Sequence, residues 1–147
     1  MTNTSTIGGL NIDKIQKGVV LDHICAGRSM SIYTYLRLGE LDCSVAIIKN
    51  VKSEKMGKKD IIKIEDRIDI DMDALGYIDP NITVIIVEDG GIKSKQKLNL
   101  PRIITNVIFC KNPRCITSIE QGIKHEFELV CETGRIYRCR YCEQENA

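Results

Sequence analysis

The chain has 147 residues, with 21 Lys and Arg against 20 Asp and Glu, and seven cysteines. That length suits one domain, or one ordinary domain with a small one attached, and a net charge of +1 lacks the basic excess with which a nucleic-acid module meets phosphate. The longest apolar runs, such as Ile82 to Val87, fall far short of the roughly 20 residues of a membrane helix, and Met1-Thr2-Asn3-Thr4-Ser5-Thr6 shows no basic segment followed by an apolar run, so export is not expected and the cysteines belong to a reducing, cytoplasmic setting.

Residues 1–11 are polar and glycine-containing and read as a flexible arm. Gly18 to Ile24 is rich in branched residues and predicts a strand. Ser29 is placed to cap a helix over Met30 to Gly39, where Ile32, Tyr35, Leu36 and Leu38 make the apolar stripe. Cys43 to Val51 predicts the next strand, Lys52 to Lys59 a polar turn, and Asp60 to Asp66 a returning strand with Ile62 and Ile64 on one face and Ile61, Lys63 and Glu65 on the other. Asp69 to Tyr77 predicts a short helix that Asp79-Pro80 stops. Ile82 to Val87 is a strand, and Asp89-Gly90-Gly91 is a hairpin signal leading into Ile92 to Lys97. The order is β-α-β-β-α-β with one appended strand, which predicts an α+β, ferredoxin-like domain: an antiparallel sheet with two helices on one face. Leu98 to Pro101 is the linker, dividing the chain into residues 1–100 and 101–147.

The second part carries the strongest motif. Cys110-Lys111-Asn112-Pro113-Arg114-Cys115 and Cys139-Arg140-Tyr141-Cys142 are hooks of the form C-x4-C and C-x2-C, separated by 23 residues. Two such hooks predict a tetrathiolate zinc site, one on each side of a tetrahedral ion; the alternative is four unrelated buried thiols. Four thiolates would close the coordination sphere, which makes the metal a fold-former and not a catalyst. A piece of about 45 residues needs such a staple, because so small a core cannot support itself. Ile103 to Phe109 and a hairpin over Glu126 to Tyr137 complete a small all-β zinc domain. Lys111, Arg114, Arg138 and Arg140 flank the ligands, either favouring the thiolates or as solvated charges. His125 is a weaker ligand candidate, since four cysteines already complete the tetrahedron. Cys25, Cys43 and Cys131 read as small apolar residues. Residues 101–147 hold seven bases and six acids, so a nucleic-acid-binding zinc ribbon, the alternative function for these hooks, again lacks its electrostatic footprint.

Outside the hooks, Lys93, Lys95 and Lys97 alternate on the last strand of the first domain. Such a row either protects a sheet edge from pairing or seats phosphates. In a ferredoxin-like sheet Asp22, His23, Lys63 and Lys95 would share one polar pocket, and a carboxylate with several ammonium groups is what a nucleotide requires. His23 alone would more often be structural or a ligand contact than a proton shuttle. No G-x-x-x-x-G-K-[ST] or G-x-G-x-x-G loop is present, and no nucleophile, base pair or open metal site is visible, so binding without catalysis is expected.

Gly18-Val19-Val20-Leu21-Asp22-His23-Ile24, Met56 to Glu65, Leu100-Pro101, Asn106-Val107 and the two hooks together resemble the regulatory chains of aspartate carbamoyltransferase over nearly the whole length. The resemblance implies a non-catalytic subunit of pyrimidine biosynthesis. Its N-terminal domain would dimerise with a second copy and bind CTP, UTP or ATP as allosteric effectors. Its zinc domain would dock on the catalytic chain, so that regulatory homodimers bridge catalytic trimers. By position, Asp22 and Lys63 would hold ribose and base, Lys95 and His23 the phosphates, and the backbone near Ile15, Gly90 and Ile92 the base edge. Lys97 stands where an arginine is familiar in the family and Gly90 where a tyrosine supplies a backbone contact. Asn112 and Glu143 match positions that face the catalytic chain, as does Arg114, which replaces an asparagine.

Overall fold

The computed structural model describes residues 16–146, and of the preceding segment the backbone of 4–7 and 10–13. Those two stretches, β1 (Thr4–Ile7) and β2 (Leu10–Asp13), pair antiparallel as a hairpin where the polar composition predicts a flexible arm. Ile15 lies outside the described residues.

A five-stranded antiparallel sheet follows, built from β3 (Gly18–Cys25), β4 (Val45–Ser53), β5 (Gly57–Ile64), β6 (Thr83–Glu88) and β7 (Gly91–Lys97) in the order β4-β5-β3-β6-β7. With α1 (Ser29–Tyr35) after β3 and α2 (Met72–Ile78) after β5, this is the ferredoxin-like arrangement with one strand added at the edge. Alternation along the strands decides the faces. Val19, Leu21, Ile62, Ile64 and Val84 turn to one side and close a core with Ile32 and Leu75 from the two helices. Ile48, Val51 and Ile61 make a smaller cluster, with Val20 packed against it.

Several local boundaries differ from the sequence reading, among them the start of α2, at Met72 and not Asp69, and the strand expected over Ile103 to Phe109, which ends at Thr105. α1 begins at Ser29, so Arg28 is its cap and Ser29 is buried inside it; the helix ends at Tyr35 because Arg37 enters the left-handed region at φ 54. The β4–β5 turn is tight, with Ser53 opposite Gly57, so Lys58 and Lys59 belong to a strand and not to a loop. α2 is capped as its sequence permits, the Asp71 carboxylate accepting from the backbone N–H of Asp73 and Ala74, both at 3.1 Å.

The C-terminal sheet has three strands, β8 (Ile103–Thr105), β9 (Glu126–Cys131) and β10 (Ile136–Cys139), in the order β10-β9-β8. A single helical turn, α3 (Ile116–Ile119), leaves the first hook. Ile104, Phe127 and Tyr137 form the core with Cys115 and Cys139, and Tyr77 of α2 packs against it. Cys131 is exposed, unlike the buried thiol expected of a small apolar residue.

Candidate functional site: a cationic sheet face and a four-thiolate centre

The face of the large sheet that carries no helix is where the polar candidates meet. Cross-strand register puts Lys63, Val20, Ile85 and Lys95 in one row and Asp22, Thr83 and Lys97 in the next. Asp22 is the anionic centre. Its Oδ1 accepts from Lys59 Nζ at 2.9 Å and from the His23 backbone N–H at 2.6 Å. His23 sits on an irregularity in the β3–β5 pairing at φ 59, which turns its ring beside Asp22, Nδ1 lying 3.8 Å from Oδ2. Burial lowers the pKa of this imidazole; the Asp22 carboxylate pulls it up, while Lys59, Lys55 and Lys95 push it further down. His23 is therefore held neutral at physiological pH and can donate one hydrogen bond to a ligand.

Lys63 is buried beside Asp22, and desolvation lowers its pKa against the pull of that carboxylate. Lys55, from the β4–β5 turn, reaches hydrogen-bonding contact with Lys97 although their elements lie on opposite sides of β3 and β6; that contact pushes the Lys55 ammonium down. Lys59 and Lys63 thus stand at the Asp22 carboxylate, Lys95 and Lys97 lie in the adjoining rows of the same face, and Lys55 reaches in beside Lys97. Thr83, fully buried between Asp22 and Lys97, has a hydroxyl without a partner among the described residues. A face so charged attracts anions.

Gly90 and Ile92 lie at the other end of the same face. Gly90, at φ 75, donates its N–H to Gln16 O at 2.9 Å, and Ile92 is exposed. Lys93 is drawn off to Glu88 at 3.1 Å, in a pair that Arg67 joins at 2.6 Å. The alternating lysines therefore do not act as one row: Lys95 and Lys97 serve the face, and Lys93 the edge. Lys59 and Lys55 escaped the sequence reading because residues 52–59 read there as a polar turn; the continuous run Lys58-Lys59-Asp60-Ile61 was the available signal for a longer strand.

The hooks converge in the second domain. The sulfurs of Cys110, Cys115, Cys139 and Cys142 all lie within 4.8 Å of one another, with Cys110 and Cys142 at 3.5 Å and Cys115 and Cys139 at 3.7 Å. Burial pushes the Cys110 thiol up to about 12. For Cys115 burial also acts upward, but hydrogen bonds from the Thr117 hydroxyl, at 3.1 Å, and backbone outweigh it, with help from the neighbouring thiols, and bring it down to about 7. Such a set accepts a tetrahedral, thiophilic ion once deprotonated. His125 is not among the four; its Nδ1 accepts from the Cys110 N–H at 3.2 Å and fixes that ligand's backbone. Arg138 and Arg140 are engaged by Glu128 and Glu126, at 4.0 and 3.0 Å.

Around the hooks, Arg114 and Glu143 are exposed, while the Asn112 side-chain oxygen is turned into its own loop, accepting from Arg114 N–H at 3.1 Å. Beside them stand the exposed apolar side chains of Phe109, Ile116, Ile119 and Tyr141, which the sequence reading did not single out.

Together these features define a class: a metal-binding, ferredoxin-like chain with a cationic recognition face and no assembled catalytic group among the described residues. Comparison with known proteins makes the class specific. The family model for the allosteric domain of the aspartate carbamoyltransferase regulatory chain matches residues 10–99, and that for the metal binding domain of the same chain matches residues 102–147. An aspartate carbamoyltransferase regulatory chain from Clostridium botulinum (strain Hall) is 55% identical over 135 residues, covering 92% of each chain. One from Clostridium acetobutylicum is 50% identical over 135 residues, again 92% of each, and one from Bifidobacterium longum 44% over 136 residues, 92% of this chain and 98% of the relative. The chain belongs to the family of aspartate carbamoyltransferase regulatory chains, which are regulatory and not catalytic. No helix among the described residues is long and apolar enough to cross a membrane.

Proposed function

We propose that this chain is the zinc-bearing allosteric subunit of a cytoplasmic aspartate carbamoyltransferase, binding CTP, UTP or ATP on the open face of its N-terminal sheet and docking on the catalytic chain through its C-terminal domain. The observation that carries this reading is the gathering of cations on one sheet face: Lys59, Lys63 and a neutral imidazole at Asp22, Lys95 and Lys97 in the adjoining rows, and Lys55 beside Lys97. Asp22 and Lys63 hold ribose and base; Lys95, Lys97 and His23 receive phosphates, joined by Lys59 and Lys55; the backbone near Ile15, Gly90 and Ile92 borders the base. β6, running under this face from Thr83 to Glu88, spans roughly 17 Å, room for an extended nucleoside triphosphate with its base toward Gly90.

Zinc suits the four thiolates, because an ion with metal–sulfur bonds of about 2.3 Å in a tetrahedron needs sulfurs about 3.8 Å apart, close to the 3.5 and 3.7 Å of the two tight pairs. Bound there it supplies folding free energy and no reactive ligand position. It orders Asn112 and Arg114 on one side and Glu143 on the other, with Phe109, Ile116, Ile119 and Tyr141 as the apolar centre of a surface for the catalytic chain. Strand β4 leaves an edge unpaired among the described residues, with Val45 to Ile48 along it; a second copy of this chain pairing there gives the homodimer that bridges catalytic trimers. A nucleic-acid role is disfavoured by the near-neutral balance of both halves.

Calorimetric titration with CTP and ATP tests the reading. Binding by the wild type, weakened at least about tenfold in Lys95→Ala and in Lys59→Ala, as loss of a charge-assisted phosphate contact requires, is the expected result. No binding by the wild type, or undiminished binding by both variants, refutes it.

A further inference from the structure

α2 connects the two halves. On the N-terminal side it covers the large sheet through Leu75, and at its C-terminal end Tyr77 enters the core of the small sheet. The last carbonyls of a helix have no partner inside it and form the negative end of its dipole, yet the last turn of α2 contains no basic residue. Two guanidinium groups arrive from elsewhere. Arg28, from the loop after β3, donates to Ile78 O at 2.9 Å. Arg135, from the β9–β10 turn of the other domain, donates through Nη2 to Tyr77 O and, at 3.2 Å, to Ile78 O.

Arg135 is held for this contact. It adopts φ 53, a conformation that non-glycine residues seldom take, and its Nε is buried. Around it the Tyr77 and Tyr137 rings meet edge to face with centroids 5.2 Å apart, Asn146 Nδ2 donates to Tyr77 Oη at 3.3 Å, and Tyr137 Oη donates to Pro101 O at 2.6 Å.

The other end of the connection is the cationic face. Asp79, the residue that follows α2, is fully buried and accepts the Cys25 N–H at 2.7 Å. Cys25 ends β3, two residues after the Asp22-His23 irregularity. A continuous set of bonds therefore runs from Asp22-His23 through Cys25 and Asp79 to the α2 terminus, and through Arg135 to β10, whose last residue is the metal-ligating Cys139. From this geometry we infer that Arg135 is the positioning residue through which nucleotide occupancy of the sheet face is felt at the docking domain. The inference rests on the nucleotide-binding reading above.

A bonded path becomes a coupling path only when breaking it changes the coupling. The test uses the holoenzyme assembled with the catalytic chain, reading the shift in half-saturating aspartate produced by CTP and by ATP, beside nucleotide affinity and zinc content. Arg135→Gln should keep nucleotide affinity within about twofold, keep its zinc and assemble, but lose most of the effector-induced shift, which for allosteric sites is typically about 5- to 150-fold in affinity. Arg135→Lys, which keeps the charge but not the planar guanidinium whose Nη2 meets both carbonyls, should respond in between and serves if the glutamine variant does not fold. Tyr137→Phe removes the bond to Pro101 O in the same interface without touching α2, and should keep the wild-type response. An unchanged response in both Arg135 variants, or an equal loss in Tyr137→Phe, overturns the inference. A wild-type holoenzyme that binds no nucleotide overturns the reading beneath it and the inference together.

Discussion

Asp60 offers a stability prediction that can be worked through from its contacts. It is fully buried in β5, and its two oxygens accept from different elements: Oδ2 from Gly27 N–H at 3.1 Å and Oδ1 from Asn50 N–H at 3.0 Å. Asn50 takes φ 61 at the irregularity in the β4–β5 pairing. Burial pushes the Asp60 carboxyl up, but the Asn50 N–H, the Ser29 hydroxyl and the Gly27 and Ser29 N–H groups prevail and hold it below its ordinary value. Asp60→Asn turns one acceptor into an amine that faces an N–H donor. One charge-assisted bond is weakened and one buried donor is left without a partner, which together cost about 3 kcal/mol; for a chain of this size that lowers Tm by roughly 10 °C. Because the folded pKa is depressed, the carboxylate's contribution is complete above the unfolded value of about 3.9 and is lost as pH falls through the folded one. Urea unfolding of both proteins across pH 2–7 should therefore show a gap that is widest and constant above about pH 5 and narrows below it. Loss of the metal as cysteines protonate affects both proteins and cancels in the difference. A gap below 1 kcal/mol at pH 7, or one that does not shrink in acid, refutes the assignment.

Two further outcomes separate the halves of the molecule. Cys139→Ser should remove the metal, and with it the roughly 10–16 kcal/mol of binding free energy that a small thiolate domain uses to fold; metal analysis and gel filtration with catalytic chain should show neither zinc nor complex, while CTP titration still reports binding at the N-terminal face. Gly76→Ala should destabilise by about 1–3 kcal/mol in urea unfolding, because a Cβ there would stand 2.4 Å from the Asn99 backbone oxygen and 3.6 Å from Pro101 Cδ; wild-type stability in that variant would show that the linker yields freely.

Much of this was legible in the chain, and the failures have physical causes. Elements with their own periodicity are the legible ones: the branched run at Ile82 to Val87 appears one residue from expectation, and the strand through Ile61 to Ile64 is where it was expected although it starts three residues earlier, at Gly57. The hooks were legible because metal geometry limits ligand spacing. Lys59 was not, since residues 52–59 are mostly polar and only pairing with β4 and β3, which places Lys59 opposite Val51 and Cys25, makes a strand of its part. In sequence Asp60, Asp79 and Arg135 are a strand residue, a helix stop and a hairpin residue; their roles depend on backbone groups far away in sequence, which no local pattern encodes. The apolar surface at Phe109, Ile116 and Ile119 looks in sequence like core, and only a domain too small to cover it leaves it exposed.

The net charge carries the last lesson. With 21 bases and 20 acids the chain gives no hint of an anion site, yet the fold segregates what composition balances. Several of its acids are engaged elsewhere: Asp60 and Asp79 are buried on backbone N–H groups, Asp71 caps α2, Glu88 holds Lys93 and Arg67, and Glu126 holds Arg140. Lys55, Lys59, Lys63, Lys95 and Lys97 gather on one sheet face, where Lys59 and Lys63 meet Asp22 and Lys55 meets Lys97, so that positive charge is concentrated there. A long polyanion would need that excess extended over the whole surface, where acids and bases cancel. The same arithmetic that argues against nucleic acid is therefore consistent with the proposed nucleoside triphosphate site, because the excess charge is local to one sheet face.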